Sequence, residues 1–148
     1  MNKVLLVGVL AILVAVAGLV YLYLEPEGTA TITFAGQSLT VDLAKTSSQQ
    51  ELGLGGRPSM TEDHGMLFVF GSASRWGFWM KGMEFPLDIV WFGANRSVIY
   101  FVQDLQPCTP VDCQTYYPPG NALYVLEVNA GFVALHNVTV GETFSYVG

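Results

Sequence analysis

The chain has 148 residues, of which 51% are hydrophobic and only 12% charged, and it carries 12 acidic against 6 basic side chains for a formal charge of −6. An acidic chain with no basic cluster weighs against a nucleic-acid partner, and the length leaves room for one domain with its own core but not for two. Charged residues usually make up about a quarter of a soluble domain, so each charge set in an apolar stretch here calls for a partner.

From Val4 to Leu24 there are 21 residues without a charged side chain, bounded by Lys3 and by Glu25-Pro26-Glu27. At about 1.5 Å per residue, a helix of that length spans roughly the 30 Å hydrocarbon core of a bilayer. Ala15-Val16-Ala17 would suit signal peptidase. The apolar run continues past it, however, and Tyr21 and Tyr23 stand where an interfacial aromatic belt belongs. The reading is therefore an uncleaved anchor over residues 1–24, with a cleaved signal peptide as the alternative. Lys3 on the short side and Glu25 and Glu27 on the long side orient the N-terminus to the cytoplasm and the rest outside. The lipid bilayer is the first partner this predicts, through residues 4–24.

A linker over residues 25–29 leads into an external domain over residues 30–148. Thr31 to Phe34 alternates polar and apolar, Ala35-Gly36-Gln37 turns, and Leu39, Val41 and Leu43 alternate again, which predicts a hairpin. Ser47 with Gln50, and Ser48 with Glu51, offer overlapping capping boxes for a short helix that the Gly53–Gly56 cluster ends. Strands are expected at Met66–Phe70, Trp76–Met80, Pro86–Phe92, Ser97–Val102, Ala122–Val128 and Glu142–Val147, with one helical turn at Gly131–Leu135. The fold class is mainly β: a single sandwich- or barrel-like domain of seven or eight short strands, with one or two short helices, behind one transmembrane helix.

Cys108 and Cys113 flank a proline-rich loop. Outside the cytoplasm so close a pair reads as a disulfide. Zinc needs three or four good ligands, whereas the chain offers these two cysteines and the separated His64 and His136. No metal or cofactor is expected. Asn95-Arg96-Ser97 and Asn137-Val138-Thr139 are sequons, which makes Asn95 and Asn137 acceptors for glycan in a host that glycosylates.

Gly55-Gly56-Arg57, His64-Gly65-Met66-Leu67-Phe68-Val69-Phe70, Phe78-Trp79-Met80-Lys81, Pro86-Leu87-Asp88-Ile89 and Leu126-Glu127-Val128-Asn129-Ala130-Gly131 occur in this order. Together they resemble the family called domain of unknown function 192, over about residues 29–147. The resemblance implies a small, mostly-β domain, often behind a signal peptide or membrane anchor, with no biochemical role attached. Where the family carries Asn-Thr after the lysine, this chain carries Gly82-Met83.

Arg57, Lys81, Asp88 and Glu127 are the charges inside that signature. They read either as a buried ion-pair network fixing strand register, or as a ligand cleft lined by Trp76, Trp79 and Trp91 with a carboxylate on its floor. His64 is a further candidate base or ligand, though a lone histidine before a strand usually caps or faces water. The patterns of serine hydrolases, zinc proteases and phosphate-binding loops do not occur. Asp88 and Glu127 could serve as a glycosidase-like pair only if roughly 5–9.5 Å apart.

The resulting expectation is a non-enzymatic binding or accessory module for surface polymers such as glycans, for peptides, or for a membrane-protein partner. A hydrolase or transferase of envelope components using Asp88 and Glu127 is the second reading. A structural surface protein assembling through β edges is the third.

Overall fold

The computed structural model describes residues 28–109 and 111–147. The expected anchor therefore lies outside the described residues. Nine strands and two short helices follow one another as β1 (Thr29–Phe34), β2 (Gln37–Ala44), α1 (Ser47–Leu52), β3 (His64–Ser74), β4 (Phe78–Trp79), β5 (Leu87–Phe92), β6 (Val98–Leu105), β7 (Thr115–Tyr116), β8 (Ala122–Asn129), α2 (Phe132–Leu135) and β9 (Ser145–Tyr146).

Seven of the strands form one mixed sheet in the order β6-β5-β8-β3-β2-β1-β9, and β4 pairs with β7 in a separate ribbon. The sheet has two edges, so it is not a closed barrel. The expected hairpin forms: β1 and β2 pair antiparallel from Thr29 opposite Asp42 to Phe34 opposite Gln37. Its turn places Ala35 and Gly36 at φ +50° and +71°, the left-handed pair that matches strand twist. β2 and β3 are parallel, a pairing that needs a crossover, and α1 lies within it.

The capping box of α1 sits one residue earlier than expected. Thr46 is the N-cap, accepting from the Gln49 amide at 3.3 Å, while Gln49 Oε1 accepts the Thr46 amide at 3.0 Å. Gly53 ends the helix at φ +52° and ψ −136°, a region open to glycine and strained for other residues. The expected strand at Trp76–Met80 shrinks to the two residues of β4, and that at Glu142–Val147 to β9. The additional strand, β7, lies inside the proline-rich loop.

Both faces of the central strands are covered. On one face Leu39, Val41, Leu67, Val90 and Leu126 pack under Phe132 and Val133 of α2 and under Phe144. On the other, Met66, Phe68, Ile89, Trp91 and Val125 pack under Leu54, Phe78, Met80 and Met83. All six residues of β5 are buried in consequence. Cys108 and Cys113 are joined as expected, with Cα atoms 5.1 Å apart.

Candidate functional site

Residues directly opposite one another in a sheet share a face, and consecutive residues alternate faces. Asp42 stands opposite Met66, Met66 opposite Glu127, and Glu127 opposite Ile89, forming one row across β2, β3, β8 and β5. Two carboxylates thus flank a methionine on the face that α1 and the following loop cover. Arg57, in that loop, closes on Asp42 with Nη1 2.7 Å from Oδ2. Asp42 is missing from the sequence-based candidates because its hairpin alternation reads as solvent-facing, whereas the crossover buries that face to 8% exposure.

Glu127 has no such pairing among the described residues. The residue is 4% exposed, and Oε2 has no hydrogen-bond partner among the described residues. Burial pushes its carboxyl from 4.5 up to about 8, only partly opposed by the attraction of Arg57. An unsatisfied buried polar atom is costly and calls for an explanation.

The explanation is spatial. Glu127 lines a cleft of about 230 Å³ between α1, the end of β3 and β4. Phe68, Phe70, Trp76, Phe78 and Trp79 contribute aromatic surface to the same cleft. Phe70 and Trp76 stack at 4.2 Å and 11°, and Phe78 meets Phe68 edge-on at 4.8 Å. The Trp91 indole donates to the Trp76 carbonyl at 2.9 Å, steadying the chain that bears Trp76. Gln50 holds α1 over the sheet by donating to the Ala44 and Val69 carbonyls at 3.2 and 3.1 Å. Gly53 keeps the floor open: a methyl group there would stand 3.5 Å from the Phe68 ring and 3.7 Å from Glu127 Oε2. The two walls are tied where the Gly56 amide donates to the Gly82 carbonyl at 2.9 Å. Gly82 turns at φ +75° and Met83 is buried, so this pair shapes the rim and packs the core.

The sequence-based candidates therefore separate. Glu127, Trp79 and Lys81 line the cleft, with Arg57 close enough to act on Glu127. Lys81 is exposed and makes no ion pair among the described residues. The expected Lys81 pairing with Asp88 or Glu127 does not form, because β4 ends at Trp79 and the turn at Gly82 carries Lys81 outward. Asp88 lies on the opposite face, opposite Val128. Its Oδ1 accepts the Asp104 amide and its Oδ2 the Val133 amide, both at 2.8 Å. Trp91 is core rather than lining. His64 opens β3 at a half-buried position opposite Thr40, and its Nδ1 meets Thr61 Oγ1 at 2.8 Å and Asp63 Oδ1 at 3.1 Å in the preceding turn. The hydrogen bond to His64 holds the Asp63 carboxyl below its ordinary value. Asn95 and Asn137 are both exposed. Among the described residues no group of three His, Cys, Asp or Glu side chains is placed to hold a metal ion.

These features define a mainly-β domain with one mixed sheet and an aromatic cleft floored by a buried carboxyl. The chain belongs to the domain of unknown function 192 family, described as Uncharacterized ACR, whose model matches residues 30–146. A solved protein of Sinorhizobium meliloti 1021, provisionally named a transcription regulator, is 31% identical with a TM-score of 0.74 over 80% of this chain and 94% of its own. A protein of unknown function from Novosphingobium aromaticivorans DSM 12444 is 29% identical with a TM-score of 0.71 over 79% of this chain and 83% of its own. No curated protein matches the chain.

Proposed function

We propose that this chain is a membrane-anchored, extracytoplasmic binding module, and that the cleft beside Glu127 takes a small ligand or one side chain of a peptide or polymer. The observation that carries this reading is the buried Glu127 carboxyl, whose Oε2 lacks a partner in a cleft walled by aromatic rings. Ligand sites pair an apolar lining with a few placed polar groups. At about 230 Å³ the cleft is smaller than the roughly 300–1,000 Å³ of most small-molecule sites, which suits a compact group. The charge-free run at Val4–Leu24 supports the anchor, and the Cys108–Cys113 bond suits an oxidising compartment.

A hydrolase built on Asp88 and Glu127 is disfavoured, since the two carboxylates lie on opposite faces and Asp88 already accepts two backbone amides. Gene regulation, suggested for the Sinorhizobium relative by its name, finds no support in five cations over the 124 residues after Leu24. A fragment screen by NMR on the full chain in lipid nanodiscs tests the reading. Hits should shift the Trp76 and Trp79 indole signals and the Glu127 carboxyl. A screen in which fragments move only other surfaces would overturn it. Protease treatment of intact cells should remove the domain and spare the N-terminal segment, and protection of the domain would refute the orientation.

A further inference from the structure

Resting on the reading of the cleft as a ligand site, the geometry points to an organic ammonium ion as its ligand, bound by Glu127 in exchange for a proton. Three independent features converge on a cation. The unpartnered Oε2 offers acceptor capacity that no described residue uses. Phe68, Phe70, Trp76, Phe78 and Trp79 line the cleft, and an aromatic face carries the negative side of the ring quadrupole, which attracts ammonium groups. The nearest guanidinium, Arg57, is committed to Asp42 at 2.7 Å and does not reach Glu127 as an ion pair. A neutral hydroxyl would use only the first of these, and a carbonyl, which cannot donate, would use none.

The charged groups around Glu127 come from four of the segments packed about it. β2 supplies Asp42, the loop after α1 supplies Arg57, α1 supplies Glu51 at the cleft wall, and the chain after β4 supplies exposed Lys81. The cross-strand neighbours on β3 and β5 are Met66 and Ile89, which do not titrate. Glu51 reinforces attraction for a cation, while Lys81 opposes it at the rim and would meet an anionic or carbonyl group on the same ligand. The exchange balances simply: the neutral Glu127 carboxyl loses its proton to solvent as the ammonium N–H groups take up hydrogen bonds to the resulting carboxylate. No covalent bond forms. Because burial holds the carboxyl near 8 in the free protein, the ligand displaces a proton throughout the neutral range.

Benzylammonium is a suitable probe and benzyl alcohol its near-isosteric neutral control. Calorimetry uses the full chain in nanodiscs, in two buffers of different ionisation enthalpy. Benzylammonium binding should release close to one proton near pH 7 and tighten about tenfold for each unit by which pH rises toward the carboxyl's midpoint. Benzyl alcohol should bind more weakly, with no proton release. E127Q should abolish both the pH dependence and the preference for the cation. The wild-type buffer comparison stands even if that variant fails to fold. Equal binding of the alcohol, or cation binding without proton release, would overturn the ligand class while leaving the cleft a site. Binding of neither probe would overturn this inference, and unperturbed indole signals throughout the fragment screen would remove the site itself.

Discussion

Asp88 and Glu127 sit at adjacent register positions on the paired strands β5 and β8, yet stand on opposite faces of the sheet. Their surroundings divide their roles. Asp88, with no exposed surface, receives two backbone amides at 2.8 Å, from Asp104 in β6 and from Val133 in the first turn of α2. The N-cap of α2, Gly131, offers no side-chain cap, so a carboxylate on a strand caps this helix and complements its exposed amides. Glu127 faces the cleft with one oxygen unsatisfied. One carboxylate is structural, and the other is available.

Replacing Asp88 by alanine strands two backbone amides at once, the Val133 amide in a buried place. Hydrogen bonds to charged acceptors contribute about 1.5–3 kcal/mol each, with losses rarely additive, so D88A should lower stability by about 2–4 kcal/mol. Urea unfolding monitored by tryptophan fluorescence measures it. A change below about 0.5 kcal/mol, the usual size for a neutral surface substitution, would show that Asp88 does not anchor α2.

How much of this was legible in the chain depends on the element. The hairpin was readable because one of its faces alternates cleanly and Ala35-Gly36 supplies a turn of the required handedness. The cysteine pair was readable from its close spacing together with the expected placement outside the cytoplasm. β5 was readable as a strand, but all six of its residues are buried, so period-two alternation carries no information about which face Asp88 occupies. The same double burial hid the separation of Asp88 from Glu127. Lys81 was misassigned because Phe78-Trp79-Met80 looks like a strand that would carry it inward, whereas the ribbon stops at Trp79. β7 escaped detection because Thr115 and Tyr116, though strand-favouring residues, form only a two-residue pairing with β4 inside a loop rich in proline.

Lys81 should matter little to folding. It is exposed and without an ion-pair partner among the described residues, so K81A should change stability by less than about 0.5 kcal/mol. Thermal melts of the full chain decide this. A fall of about 3 kcal/mol, as expected for breaking a buried pair, would mean that Lys81 folds inward on a carboxylate after all.

The Cys108–Cys113 bond closes a small ring next to the cleft. Lys81 bridges to Cys108, and the Cys108 amide approaches the Met80 carbonyl at 3.4 Å. Paired replacement by serine should cost about 2 kcal/mol through the chain-entropy effect of so short a loop and should broaden the NMR signals of Trp79 at the rim. Labelling of the unreduced, denatured protein with a thiol reagent should give no adduct at either cysteine. Two free thiols would contradict both the bond and the proposed oxidising compartment.

Glu127 makes stability depend on pH in a direction opposite to that of an ion-paired carboxylate. Its carboxyl titrates at about 8 in the folded protein against 4.5 in the reference state. Below about 4.5 the group is protonated in both states and its contribution is whole. Between about 4.5 and 8 the unfolded chain releases the proton and the folded chain retains it, so stability falls as pH rises. At about 1.4 kcal/mol per unit of pKa difference the loss is on the order of 5 kcal/mol. E127Q removes this term, so its denaturation midpoint should decline less than the wild type's from about pH 5 to pH 8. Parallel curves for the two proteins would show that Glu127 is ionised in the fold.

The most direct test of the account is the titration of the Glu127 side-chain carboxyl itself, followed by its ¹³C chemical shift in the full chain without added ligand. A carboxyl buried in an aromatic cleft and lacking a partner should titrate with a midpoint near 8. A midpoint near the ordinary 4.5 would mean that Glu127 is already solvated or paired, and would remove the unsatisfied acceptor on which the binding site rests.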